Sequence, residues 1–210
     1  MNNKLMCIAV YSGGDNKYKS IRDNFCENLK QFKSEISDVI VFDVGTKSGD
    51  WQSVGFLETV YKKLSFTRHF LNEGFDVFCT DLDIFYLKDP LPLMNTLLKK
   101  YDIVGQNDFD RLCTGFYMVK STDKTINLFD TSYELKLDGE QGDQNYIDTK
   151  LKLEEFKNIS VFKLDQDYFP NGFRWFRRHK TIDPYIVHYN CIDSIEEKIE
   201  KMKKYKHWLI

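Results

Sequence analysis

Proline and glycine are scarce: four and eleven in 210 residues. That composition excludes a collagen-like chain or a low-complexity disordered one. No Cys-x-x-Cys pair occurs, and the five cysteines (Cys7, Cys26, Cys79, Cys113, Cys191) are odd in number. Three of them sit in apolar runs. They read as free thiols in a reducing compartment rather than as a disulfide framework. Neither sign of charge dominates, and the formal net charge is −2. A dedicated nucleic-acid binder would carry a basic face, so no nucleic-acid partner is expected. Long hydrophobic runs are missing too. The N-terminal apolar stretch is about six residues, too short for a signal peptide or a membrane span. The sequence therefore predicts a soluble, cytoplasmic chain.

Aromatic residues are plentiful: 17 Phe, 12 Tyr and 3 Trp. A chain of this length can bury one sizeable core. Residues 1–210 are expected to form a single domain, either alone or as part of a longer protein.

Short apolar runs alternate with helical periodicity. Strands are predicted at Leu5–Val10, Asp38–Asp43, Phe75–Thr80, Asp102–Gly105, Thr114–Val119, Ile159–Leu164 and Tyr185–His188. Helices are predicted over 17–33, 56–71, 92–99, 142–152 and 192–206. Turns are expected at 12–15 and at 139–142. The β-α-β-α-β order predicts an α/β, Rossmann-like domain: a mostly parallel central sheet with helices on both faces. Ligands of such sheets bind beyond the carboxyl ends of the strands. Ser12-Gly13-Gly14 and Asp81-Leu82-Asp83 both fall at such ends.

The stretch from Phe75 to Pro92, FDVFCTDLDIFYLKDPLP, carries the strongest chemical signal. A strand runs directly into two carboxylates one residue apart. Unpaired carboxylates held out of water cost several kcal/mol. A divalent cation with phosphate ligands would balance them, and Mg²⁺ or Mn²⁺ suits oxygen donors. If the strand continued, Asp81 and Asp83 would share one face. The bland alternative is a turn with two solvated carboxylates. A haloacid-dehalogenase-like phosphohydrolase also places two aspartates after a strand. In that class the motif opens the domain and continues Gly-Thr, whereas here it follows the third strand and continues Ile84-Phe85.

Beyond this motif, the chain resembles the DxD nucleotide-diphospho-sugar transferases, glycosyltransferases of GT-A fold. Lys63 stands where that family tends to carry a basic residue. Thr114-Gly115-Phe116-Tyr117 resembles its NTGFY strand, Asp143-Gln144 its DQ helix start, and Phe169-Pro170-Asn171-Gly172 its FPxG loop. His188, Asn190, Lys198 and Trp208 fit its C-terminal block. The similarity extends to the glycosyltransferases of large algal viruses. Two positions depart from the pattern. Cys113 replaces an Asn, which bears on the sugar pocket. Ser194 replaces a Gly, which bears on backbone approach to the diphosphate.

The resemblance implies a metal-dependent, retaining glycosyltransferase. Its donor would be a UDP-sugar such as UDP-glucose or UDP-rhamnose, and its acceptor an oligosaccharide or other glycan. Asp81, Asp83 and His188 would hold Mn²⁺ or Mg²⁺. Val10, Tyr11, Ser12, Lys63, Asp81, Asn190 and Lys198 would bind the donor, with Asp81 also reaching the ribose. Asp143 and Gln144 would act at the anomeric carbon. Asp108, Asn171 and Gly172 would bind the acceptor or the sugar. Phe173 and Trp175 either stack on an acceptor sugar or pack the core. Arg174, Arg177, Arg178 and Lys180 form a basic cluster whose default is a solvated face. A non-catalytic nucleotide-sugar module is the remaining alternative.

Overall fold

The computed structural model describes residues 3–14, 16–45, 53–133, 135, 142–192 and 194–210. Asp15 and Gly139, in the two expected turns, lie outside them. Eight strands are described: β1 (Leu5–Tyr11), β2 (Ile40–Asp43), β3 (Asp76–Thr80), β4 (Ile84–Tyr86), β5 (Ile103–Asp108), β6 (Arg111–Val119), β7 (Val161–Leu164) and β8 (Ile186–His188). The helices are α1 (Asn16–Leu29), α2 (Val54–Asn72), α3 (Leu91–Leu98), α4 (Asp123–Leu128), α5 (Asp143–Leu151), α6 (Gly172–Arg178) and α7 (Ile195–Lys204).

Six strands form the central sheet in the order β2-β1-β3-β6-β5-β7. The mostly parallel sheet is observed, and β6 alone runs against its neighbours β3 and β5. Alternation along each strand sorts side chains between two cores. Cys7, Ala9, Phe78, Phe116 and Met118 face Ile21 and Phe25 of α1 and Met94 of α3. Ile8, Val77, Cys79, Tyr117 and Val119 face Leu64 of α2, Leu128 of α4 and Ile147 of α5. Helices thus cover both faces.

The predicted strand at 185–188 is real but does not join this sheet. β8 pairs antiparallel with β4 in a two-stranded ribbon, with Ile84 opposite His188. β4 is a separate strand that periodicity could not announce in three residues. The ribbon packs Phe85, Val187 and Tyr189 against Trp175 of α6 and Met202 of α7. Trp175 is therefore core, and the stacking alternative fails for it. Helix α6 falls in a segment for which sequence patterning predicts no element.

Candidate active site

Asp81 and Asp83 do not share a strand. β3 stops at Thr80, and the pair occupies the turn into β4. β8 then returns His188 beside them. One ligand atom from each of Asp81, Asp83 and His188 lies within 4.8 Å of the others. His188 Nε2 is 3.2 Å from Asp83 Oδ1 and 3.9 Å from Asp81 Oδ2. Two carboxylates and one imidazole suit a divalent cation of intermediate hardness such as Mn²⁺. Gly115 makes the approach possible. A Cβ there would lie 2.3 Å from Asp81 Oδ2 and 2.8 Å from the His188 ring. The Thr114-Gly115 segment of β6 thus cradles the cluster, and Gly115 O accepts a hydrogen bond from Asp81 N at 2.7 Å.

The carboxylates are not left unpaired. On α2, Val60, Lys63, Leu64, Thr67 and Leu71 form the buried face. Lys63 is thus a cation on an apolar stripe, only 4% exposed. Its Nζ lies 2.9 Å from Asp81 Oδ1 and 2.9 Å from Asp143 Oδ2. Burial works against the Lys63 charge, but Asp143 and Asp81 outweigh it and hold the ammonium protonated. On α7, Ser194 caps the helix by accepting from Glu197 N. Lys198 lies one turn beyond Ile195 and one turn before Met202, on the stripe that faces inward. Its Nζ reaches Asp83 Oδ2 at 2.5 Å. Burial disfavours the Asp83 charge, yet Lys198 and His188 push its pKa far below the usual carboxylate range. Burial likewise disfavours charge on His188, and Asp83 reverses that by raising its pKa well above the ordinary value.

Two adjoining cavities meet at this cluster, and Lys63, Asp81, Asp83 and Lys198 line both. The first extends past Val10, Tyr11 and Ser12 to Tyr18 and Phe56. The second is bordered by Asp108, Arg111, Cys113, Asp143, Gln144, His188 and Asn190. Here a carboxylate is held by amides. Asn171 Nδ2 donates to Asp108 Oδ1 at 2.7 Å and Gln144 Nε2 to Asp108 Oδ2 at 3.2 Å. An ionised carboxylate only accepts, so the Gln144 amide nitrogen is turned to Asp108 and its carbonyl oxygen away.

Asn171 and Gly172 line neither cavity. Asn171 is buried behind Asp108, and its Oδ1 caps α6 by accepting from Arg174 N. Gly172 N donates to Asn190 Oδ1 at 2.8 Å. A Cβ on Gly172 would come within 2.1 Å of the Asn190 carbonyl oxygen. Phe173 is exposed at the rim, 5.6 Å from the exposed ring of Phe109, and the Arg177 guanidinium lies 3.7 Å over it. Phe109 and Asp110 form the β5–β6 turn with φ of 49° and 65°. Positive φ at both positions is what a two-residue type I′ hairpin turn requires, although a bulky residue seldom fills it. Patterning gave no sign of Phe109, Tyr18 or Phe56. They are apolar residues whose value lies in where the fold leaves them.

The family model for nucleotide-diphospho-sugar transferases matches residues 23–202. The chain belongs to that family. It is 26% identical over 186 residues to the UDP-galactose:fucoside alpha-3-galactosyltransferase of Dictyostelium discoideum, an alignment covering 75% of this chain and 29% of that protein. It is 31% identical over 117 residues to an uncharacterised Arabidopsis thaliana protein, covering 53% of this chain and 33% of that one. The chain thus spans about a third or less of these curated relatives. A glycosyltransferase involved in glycosylating the major capsid of PBCV-1 superposes with a TM-score of 0.60 at 10% identity, covering 95% of this chain and all of that one. The galactosyltransferase LgtC superposes at 0.54 with 12% identity, covering 96% and 95%. These likenesses establish the GT-A-like fold. Among the described residues, no helix is long and apolar enough to cross a membrane.

Proposed function

We propose that the chain is the catalytic domain of a divalent-cation-dependent glycosyltransferase. It moves a sugar from a UDP-sugar to a carbohydrate hydroxyl with retention of anomeric configuration. The observation that carries this reading is the meeting of Asp81, Asp83 and His188 where the two cavities join. The Dictyostelium relative is named for UDP-galactose, which adds galactose to glucose and rhamnose as the donor sugar to test.

The cation, Mn²⁺ or Mg²⁺, would be held by Asp81, Asp83 and His188, and would supply Lewis-acid stabilisation of the leaving diphosphate. Val10, Tyr11 and Ser12 bind uracil and ribose, with Asp81 sharing the ribose. Lys198, freed from Asp83, takes the diphosphate charge. Lys63 is already shared by two carboxylates, and it acts mainly by fixing Asp81 and Asp143 in place. Asp143 and the outward Gln144 carbonyl oxygen stabilise positive charge at the anomeric carbon, as carboxylates do in glycoside hydrolysis. Asp108 orients Gln144 and, with Asn171 and Gly172 behind it, shapes the acceptor side. Asn190 links that side to the donor side. Phe109 and Phe173 offer apolar faces to the acceptor ring. The sugar–phosphate C–O bond breaks as the acceptor oxygen attacks the same face, and the acceptor hydroxyl proton passes to the departing phosphate oxygen.

The test is a thermal-shift and hydrolysis panel of nucleotides and nucleotide sugars with and without Mn²⁺. Stabilisation by UDP that requires Mn²⁺, with slow cleavage of one UDP-sugar, is the expected result. Binding without cleavage of any donor would favour a non-catalytic module. The family match leaves the phosphohydrolase reading without support.

A further inference from the structure

We propose that Gln106 is a positioning residue that sets the tautomer of His188 and aims its Nε2 at the cation site. Gln106 lies on β5 and is fully buried. Its Nε2 donates to two backbone carbonyls of the neighbouring loop, Phe169 O at 3.1 Å and Pro170 O at 2.9 Å. Its Oε1 lies 2.7 Å from His188 Nδ1.

The amide can be oriented only one way. Reversed, its oxygen would face two carbonyl oxygens and its NH₂ would face the imidazole. Two acceptor–acceptor contacts would then replace two hydrogen bonds in a buried site, where unmade bonds cost most. With the oxygen turned to His188, Nδ1 must donate. Nδ1 therefore carries a hydrogen in either charge state of the ring, and Nε2 is the nitrogen left to give up its proton and present a lone pair to a cation. That nitrogen is the one facing Asp83 and Asp81. The other polar neighbour of Nδ1 is the Cys113 thiol, whose sulfur is 3.9 Å away and a weak partner. A hydrogen-bond acceptor behind a ligating histidine fixes ring orientation and raises donor strength. The same amide ties the ligand to Pro170, next to Asn171. It thus anchors the metal side to the loop that supports Asp108.

This inference rests on the cation reading of Asp81, Asp83 and His188, and the experiment separates the two. Mn²⁺ is titrated with UDP into wild type, Gln106→Met and Gln106→Glu, with free Mn²⁺ read by electron paramagnetic resonance. Gln106→Met keeps the length but offers no amide oxygen, and should weaken Mn²⁺ binding about 10- to 100-fold. Gln106→Glu keeps an oxygen for Nδ1–H but turns its second oxygen on the Phe169 and Pro170 carbonyls, so it should bind Mn²⁺ less tightly than wild type and more tightly than Gln106→Met. Nitrogen-15 spectra of the Mg²⁺–UDP complexes should show a slowly exchanging His188 Nδ1–H in wild type and Gln106→Glu. Equal Mn²⁺ affinity in wild type and Gln106→Met would overturn the proposal. If Gln106→Met does not fold, the wild-type spectrum decides, and absence of a protected Nδ1–H overturns it. Failure of wild type to bind Mn²⁺ would bring down the cation reading itself.

Discussion

The two sides of the site are built from different chemistry. On the proposed donor side, Asp81 and Asp83 are tied by ion pairs to Lys63 and Lys198. On the proposed acceptor side, Asp108 is held by the amides of Asn171 and Gln144. Ion pairs are strong but weakly directional, and incoming ions can exchange partners with them. Hydrogen bonds from amides fix angles and have no charge to exchange. In the proposed reaction, a cation arriving with a diphosphate would take over Asp83 and release Lys198 to the phosphate. The Asp108 side has no such exchange open to it, and its hydrogen bonds hold Gln144 in one orientation.

This contrast can be broken first at Asp83. Asp83→Ala removes a ligand and leaves Lys198 without its partner. Mn²⁺-dependent UDP binding should be lost, by about a thousandfold or more, while the circular dichroism spectrum is retained. Unchanged UDP affinity would refute the cation assignment. Asp108→Ala should do the opposite. Transfer should fall about 100-fold in kcat, with Mn²⁺–UDP affinity unmoved, since Gln144 loses its anchor. A matching loss of UDP binding would show that the two sides are not separable.

His207 tests the support that both sides share. It stacks on Phe85 of the ribbon at 4.3 Å and lies 2.8 Å from Tyr189 Oη. Burial pushes its pKa down to about 4. The unfolded chain therefore takes up a proton first as pH falls below the ordinary value of about 6.5. Stability from this residue is complete above that value and is lost as pH falls towards the folded value. Urea unfolding at pH 7.5 and pH 5 should differ by about 2 kcal/mol from His207, and His207→Gln should flatten that difference. The smallest expected effect is at Lys198. Lys198→Ala should weaken UDP about tenfold and uridine hardly at all, by calorimetry. Equal losses would move Lys198 away from the diphosphate.

The site was more legible than its supports. Asp81 and Asp83 stand out because charge after an apolar run is costly. His188 and Lys198 needed the resemblance, since neither is unusual where it stands. The pairing of Lys63 was half legible: a lysine on an apolar helical stripe must find carboxylates, but only the fold shows that Asp143 is one of them. β1 and β3 were readable from apolar runs, whereas the reversed sense of β6 leaves no local trace. β4 and β8 are three residues each, and their pairing depends on the whole chain between them. Helix α6 opens Gly-Phe-Arg-Trp, which carries little helical periodicity, and its Asn171 cap reads as part of a loop. Gln106 had no signal at all. A glutamine in an apolar strand becomes meaningful only when the fold brings His188 of β8 against its side chain.

The ribbon has one further consequence, for the order of events during synthesis. Asp83 and Lys198 are 115 residues apart in sequence. The strand that brings His188 against Asp83 leaves the ribosome long after the aspartates do. The nascent sheet therefore carries Asp81 and Asp83 for a long stretch of synthesis while their late partners are still missing. The proposed cation cluster is complete only when β8 zips onto β4, and a slip of one residue there would swing His188 to the opposite side. Metal affinity would thus be a readout of correct β4–β8 pairing, available before any sugar is transferred.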